Sequence, residues 1–343
     1  MNRLLTAICL TLLLFVSTGA QTNSTPSVPA AVKAGATQQP AVDVTKAADA
    51  SRLNTEVVNL FKQKKYDEAL PLAQRSLEIS ENELKADPKF SVTSLFNLAT
   101  IYFEKGKHGE AEQLYKLLLI LQQPESSFGL PVSDTLTRLA LLRFWKRDTA
   151  AAASLMRRSI AIKEKVQGQN HTDVAQSSFI LAEFYSLNGN VKEAEPLYQR
   201  ALQIWIKQSG KEDHRVENAL DRYYCMLANN GQTKRYEEFR KTVLLSEADN
   251  AHTSTDVLNG KATSKPVPPY PRKALEGRIY GVTAVKIVVD ETGKVVKAKA
   301  ICGHHLLTGA SEEAALKAQF TPTLLKGQPV KVSGVMTYNF VLR

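Results

Sequence analysis

The chain has 343 residues, 43% of them apolar, with 44 Lys+Arg against 34 Asp+Glu. That length allows two domains, and the apolar share is ordinary for a globular protein. Its three cysteines form no Cys-x-x-Cys, which excludes a zinc knuckle or thioredoxin-like redox centre; no metal or other cofactor is predicted.

Met1–Ala20 reads as an export signal. Arg3 supplies a positive charge, Leu4–Val16 an almost unbroken apolar run, and Thr18-Gly19-Ala20 small residues for cleavage before Gln21. The run is shorter than the ~20 apolar residues that span a bilayer. A cleaved signal is therefore the first reading and an uncleaved inner-membrane anchor the alternative. Residues 21–50 are rich in Ala, Thr, Gln, Ser and Pro. They carry too little large apolar surface to offset ordering entropy and are predicted to be a disordered linker.

Residues 51–248 form an internal repeat. Lys64–Leu72, Gly106–Leu114, Arg147–Leu155 and Gly189–Leu197 are four copies, and the leucines that close them lie 42, 41 and 42 residues apart. A regular period of this size implies stacked helical hairpins. Each copy sits at the turn between two helices. Ser94–Lys105, Thr135–Lys146, Ser177–Asn188 and Ala219–Asn230 carry first-helix periodicity, and Arg235–Ser246 closes a fifth hairpin. Gly106 and Gly189 suit the left-handed position that ends a helix; the third copy lacks that glycine. Carboxylates are plentiful here and read as solvated helix faces.

Residues 249–265 are rich in Thr, Ser, Lys and Ala and read as an interdomain linker. The remainder, 266–343, opens on Pro268-Pro269-Tyr270-Pro271, which cannot be helical throughout. Arg272–Glu276 suits a short helix. Gly281–Asp290 alternates, with Val285, Ile287 and Val289 on one face; Val295–Cys302 alternates with Val296, Ala298, Ala300 and Cys302 on one side. Asp290–Gly293 supplies the turn. Leu306–Ala318 is helical, with Leu307, Ala310, Ala314 and Ala318 near one stripe. A last strand carries Met336, Tyr338 and Phe340. Charge is uneven: from Gly260 onward there are 13 Lys+Arg and 5 Asp+Glu, a surplus of 8, against 31 and 29 before it. Cys225 and Cys302 fall one in each domain and read as small buried apolar residues. A bridge between them would need the domains to dock tightly.

Glu-Ala-Glu-x-Leu-Tyr at 110–115 and 193–198, in this spacing, resembles tetratricopeptide repeats. The long period and Gly168-x-x-His171 resemble the kinesin-light-chain variety. The order Tyr270-Pro271, Gly281, Val289-Asp290 with Gly293, Gly303, Ala-rich helix, Phe320 with Pro322, and Gly327-x-Pro329-Val330 resembles the C-terminal domain of the TonB family. Gln319 departs from it, standing where the family usually has tryptophan. The expected fold is thus multidomain: an all-α repeat solenoid, then a small α+β domain with an antiparallel sheet.

The resemblances imply a non-enzymatic, periplasmic protein-binding adaptor of the Gram-negative envelope. On the repeats, Asn97, Arg138 and Arg143 are groove candidates that fit solvated helix positions equally well. In the terminal domain, the family adds a partner's extended peptide to a sheet edge by strand pairing. Tyr270 and Pro271 of the motif and Val332, Val335, Thr337, Asn339 and Val341 of the last strand are the corresponding protein-binding candidates. Envelope proteins or extended peptides are the expected partners, an outer-membrane transporter among them. Anionic envelope polymer is a further candidate on charge, and nucleic acid is not expected for an exported chain. A membrane-anchored TonB-type energy transducer is the alternative. No nucleophile elbow, phosphate loop, zincin motif or metal-ligand cluster suggests an enzyme. Adjacent imidazoles on extended chain point apart, so His304-His305 makes a poor shared metal site; Gly-His followed by two leucines resembles a turn of the TonB family.

Overall fold

The computed structural model describes residues 44–83, 88–123, 129–244, 261–325 and 327–342. The export signal and most of both linkers lie outside these residues. The fold divides into two compact units, one ending at Phe184 and the other running from Tyr185 to the C-terminus.

Hairpins fill the first unit: α1 (Val44–Lys62) with α2 (Tyr66–Glu83), α3 (Pro88–Glu104) with α4 (His108–Leu121), and α5 (Leu130–Trp145) with α6 (Thr149–Gln167). Helix α7 (Thr172–Leu187) begins the fourth. The first helix starts at Val44, ahead of the expected start at residue 51. The repeat motif explains the packing. Ala69, Ala111, Ala152 and Ala194 occupy the same motif position, and all four are 0% exposed. A methyl group there lets two helix backbones approach closely. Around the first, Val57, Ala73, Leu98 and Ile101 form a buried cluster.

At the motif turn Gly106 and Gly189 adopt φ +74° and +76°. Lys64 and Arg147 stand at the equivalent positions and take φ +59° and +63°. The copies without glycine therefore keep the same left-handed turn, at a cost of about 1 kcal/mol for an L side chain.

The second unit contains α8 (Val191–Ser209), α9 (His214–Asn229) and α10 (Thr233–Leu244), then the terminal domain. Stacked and edge-on rings of Tyr198, Tyr223, Tyr236 and Phe239 join the three helices. The terminal domain contains α11 (Arg272–Glu276), β2 (Gly281–Val289), β3 (Val295–Cys302), α12 (His305–Leu316) and β7 (Val332–Phe340). Three shorter pieces lie between α12 and β7: β4 (Gln319–Phe320), β5 (Leu324–Leu325) and β6 (Gln328–Pro329). The expected linker contributes a strand of its own, β1 (Ala262–Ser264), which pairs antiparallel with β4. The main sheet is antiparallel, ordered β3-β2-β7.

One sheet face is apolar. Val285, Ile287 and Val289 of β2 lie beside Met336, Gly334 and Val332 of β7 and pack with Leu307, Ala314 and Ala315 of α12. Two bulges in the β2–β3 pairing change the expected face of β3. Register shifts between Ala284 and Val285, and again between Val288 and Val289. Val295 is consequently buried and Val296 exposed, while Cys302 pairs with Ala284, on the face opposite Val285. A bulge inserts one residue, and one residue reverses the facing of the strand beyond it. Gly293 holds the hairpin turn at φ +87°, where an added Cβ would lie 2.0 Å from the Phe320 carbonyl oxygen.

Candidate functional site

Strand β7 has β2 on one side and, among the described residues, no strand on the other. The direction of its main chain can be read from Thr337, whose carbonyl accepts a hydrogen bond from Lys265 Nζ at 2.9 Å. That carbonyl therefore points away from β2. Residues two apart share an orientation in an antiparallel ladder, so Val335 and Asn339 also present their N–H and C=O outward. The Lys265 ammonium also lies 5.3 Å from the centroid of the Tyr338 ring.

Side chains divide along the same strand. Val332 is 2% exposed and belongs to the core, and at an odd offset from Thr337 its main chain faces β2, so this candidate does not lie on the outer margin. Val335 and Thr337 are half-buried and Asn339 is exposed, and Val341, just past the strand, is 62% exposed. Tyr270 lies with its ring edge-on to Phe340 at 5.3 Å, and its hydroxyl donates to the Ile279 carbonyl at 2.6 Å. Pro271 precedes α11, its carbonyl accepting from the N–H groups of Ala274 and Leu275. The Tyr-Pro pair thus anchors the entry of the chain into the domain.

The opposite sheet face is polar and meets α9. Lys286 Nζ lies 2.7 Å from Glu217 Oε1, an ion pair that lowers the Glu217 pKa. Lys297 and Lys299 add to the field at Glu217, and Lys299 also acts on Asp221. Desolvation nevertheless raises the Asp221 carboxyl. Farther along α9, the Cys225 thiol donates to the Ile301 carbonyl at 3.2 Å.

In the repeats, the three groove candidates are tied internally. Asn97 donates to Asn54 Oδ1 at 3.0 Å. Arg138 is only 4% exposed, 3.5 Å from Glu104 Oε1 and 5.2 Å above the Phe103 ring. Arg143 donates to Glu112 Oε1 at 2.8 Å. Glu112 also takes Lys116 at 2.9 Å and a close contact from Lys146. The hydrogen bond from Lys146, joined by those of its neighbours, holds the Glu112 pKa down to about 2.

Residues 54–119 and 132–207 match the family model described as tetratricopeptide repeat, and residues 266–342 match that described as Gram-negative bacterial TonB protein C-terminal. The chain thus carries a tetratricopeptide-repeat region and a TonB-type C-terminal domain. Among solved structures it is similar to BtubC (BKLC) from P. vanneervenii, at 15% identity and TM-score 0.52, covering 65% of this chain and 89% of that one. It is also similar to a putative kinesin light chain with TPR-like repeats from Podosopora anserina, at 20% identity and TM-score 0.48, covering 60% of this chain and 99% of that one. No curated protein sequence matches it.

Two features of the repeats escaped the sequence reading. Glu112 and Glu195, the second acid of each Glu-Ala-Glu, are 5% and 6% exposed rather than solvated. Glu112 reaches from α4 to α5; Glu195 accepts from Tyr223 of α9 at 2.7 Å and pairs closely with Arg235 of α10. The signal was present in the motif itself: its first acid faces solvent, while the second sits beside the buried alanine. In the TonB-type domain, His304 caps α12 by accepting from Leu306 N–H. The His304 and His305 rings lie 4.4 Å apart rather than pointing away from one another, because His305 already belongs to the helix. Among the described residues no helix is long and apolar enough to cross a membrane.

Proposed function

We propose that this chain is an exported, non-enzymatic adaptor of the Gram-negative envelope, acting in the periplasm. Its repeats hold one protein partner, and its TonB-type domain takes up an extended peptide on β7. One observation carries the reading: the outer margin of β7, where the Thr337 carbonyl faces away from the sheet and its only hydrogen bond across that margin among the described residues comes from the Lys265 side chain. Main-chain hydrogen bonds to Val335, Thr337 and Asn339 would supply affinity, and Thr337, Asn339 and Val341 would meet the peptide's side chains. A plug peptide of an outer-membrane transporter suits such an edge. Asn97 and Arg143 are the repeat candidates kept for the second partner; Arg138 is spent on Glu104.

The test is binding of synthetic extended peptides to the full chain and to Val335→Pro. Proline removes one outward N–H and leaves the β2 ladder intact. Binding is expected to fall at least tenfold with the melting temperature nearly unchanged. Equal binding by a folded Val335→Pro chain would refute strand addition.

A membrane-anchored energy transducer is the second reading, favoured by the TonB-type match itself. Sequencing the mature N-terminus separates the two, since a start at Gln21 removes the anchor. For anionic polymer the domain offers its cationic face, but Lys286 there is already paired with Glu217.

A further inference from the structure

The polar face of the TonB-type domain holds a feature that strand addition does not use. Cys225 on α9 and Cys302 at the end of β3 are both free thiols, far apart in sequence and brought together by the docking of α9 on the sheet. Cys225 Sγ lies 3.2 Å from the carbonyl oxygen of Ile301, the residue bonded to Cys302. The neighbouring Cys302 thiol and burial together hold the Cys225 thiol well above its ordinary pKa. Both are partly accessible, so a small disulfide can reach them. The β2–β3 bulge makes this encounter, because it turns Cys302 out of the core face and places it opposite Ala284. The Lys286–Glu217 ion pair holds a second point of the same helix on the same face.

We propose that Cys225 and Cys302 form an intrachain disulfide that locks α9 to the sheet, by exchange with a low-molecular-weight or protein disulfide. The Cys302 thiolate attacks one sulfur of the oxidant; a mixed disulfide forms and one oxidant thiol leaves. Cys225 then gives up its proton and attacks the Cys302 sulfur, releasing the second oxidant thiol. Two protein thiols are oxidised to one disulfide while one oxidant disulfide is reduced to two thiols. With Cys225 Sγ already 3.2 Å from the backbone of the residue before Cys302, side-chain rotation and approach are what the ~2.05 Å bond requires. The bridge ties the last helical hairpin to the sheet and fixes β7 relative to the end of the array. Its occurrence in the cell rests on the exported reading, since reducing compartments keep thiols free; its chemistry does not.

The experiment uses the full chain carrying Cys9→Ser, so that only this pair is left. Native protein is incubated with oxidised glutathione, quenched, alkylated with N-ethylmaleimide and weighed by mass spectrometry. The oxidised monomer is expected to carry no label and to yield one proteolytic fragment joining both cysteines. Dithiothreitol should restore two labels, and the oxidised form should melt several degrees higher than the reduced one. Cys302→Ser is expected to lose the bridge and the melting shift while still folding. Two labels kept by the native chain, under conditions in which the urea-unfolded chain oxidises, would overturn the proposal. So would bridges found only between chains. No peptide enters the assay, so failure here leaves strand addition untouched, and failure of peptide binding leaves the bridge untouched.

Discussion

The repeats and the terminal sheet solve the same packing problem with contacts of different range. A hairpin such as α3/α4 buries Ala111 against a helix a few residues away and reaches its neighbour through one acid, Glu112, set among Lys116, Arg143 and Lys146. The terminal domain joins Gly281 to Phe340 in its main sheet and Ala262 to Phe320 in a small second one, and its hairpin turn is pressed against a strand formed after the helix. Stability in stacked repeats is close to a sum of neighbouring terms. Long-range pairing of the other kind is all-or-none, because no strand keeps its place when another leaves. Injury to a repeat should therefore stay local and graded, whereas injury to the sheet should spread through the whole domain.

The sharpest way to break that contrast is Gly293→Ala. The new methyl would collide with the Phe320 carbonyl at a backbone angle that L residues rarely adopt. A loss of more than about 3 kcal/mol is expected, seen as amide exchange throughout β2, β3 and β7 with α1–α6 still protected. Equal loosening of α1–α6 would defeat the distinction. Next comes Glu112→Gln, which should cost about 2 kcal/mol once the exposure of its cations is allowed for, with faster exchange confined to α4 and α5. The same residue sets an acid response. Its pKa is depressed from 4.5 to about 2, so its contribution is complete above the unfolded value and disappears as pH falls through about 2. Acid titration of melting temperature should show this component in the parent chain and lack it in Glu112→Gln. The smallest effect is a gain. Arg147→Gly should stabilise by up to about 1 kcal/mol, because glycine takes φ +63° without penalty; calorimetry that shows a loss would mean the Arg147 side chain contributes more than its turn costs.

Much of this was legible in the sequence because spacing survives where identity does not. The leucines at 72, 114, 155 and 197 placed four of the hairpins, including the one with arginine at the turn-glycine position, since Arg147 follows the same backbone path. Alternation likewise placed β2 and β7. What spacing could not supply was the third dimension of each helix. Arg138 has the position of a groove residue, yet the preceding hairpin buries it against Glu104 and Phe103. Glu112 and Glu195 read as solvated because one helix alone does not say which flank its neighbour will cover. In β3 a strict two-residue period put Cys302 with Ala298 and Ala300, and the bulges beside Ala284 and Val289 undid that assignment. The outward Thr337 carbonyl depends on register, and register belongs to the pair of strands rather than to either one.

Helix α9 opens the last hairpin, stacks Tyr223 on Tyr198 of α8, and roofs the lysine side of the sheet with Glu217 and Cys225. Tyr224 beside them is 5% exposed, its hydroxyl pushed up to about 12 by burial. A chain cut after residue 248 would leave that roof without a room beneath it, and wetted tyrosine and thiol would invite clumping. Whoever wishes to handle the helical portion alone should stop before His214, or carry the sheet along as its lid.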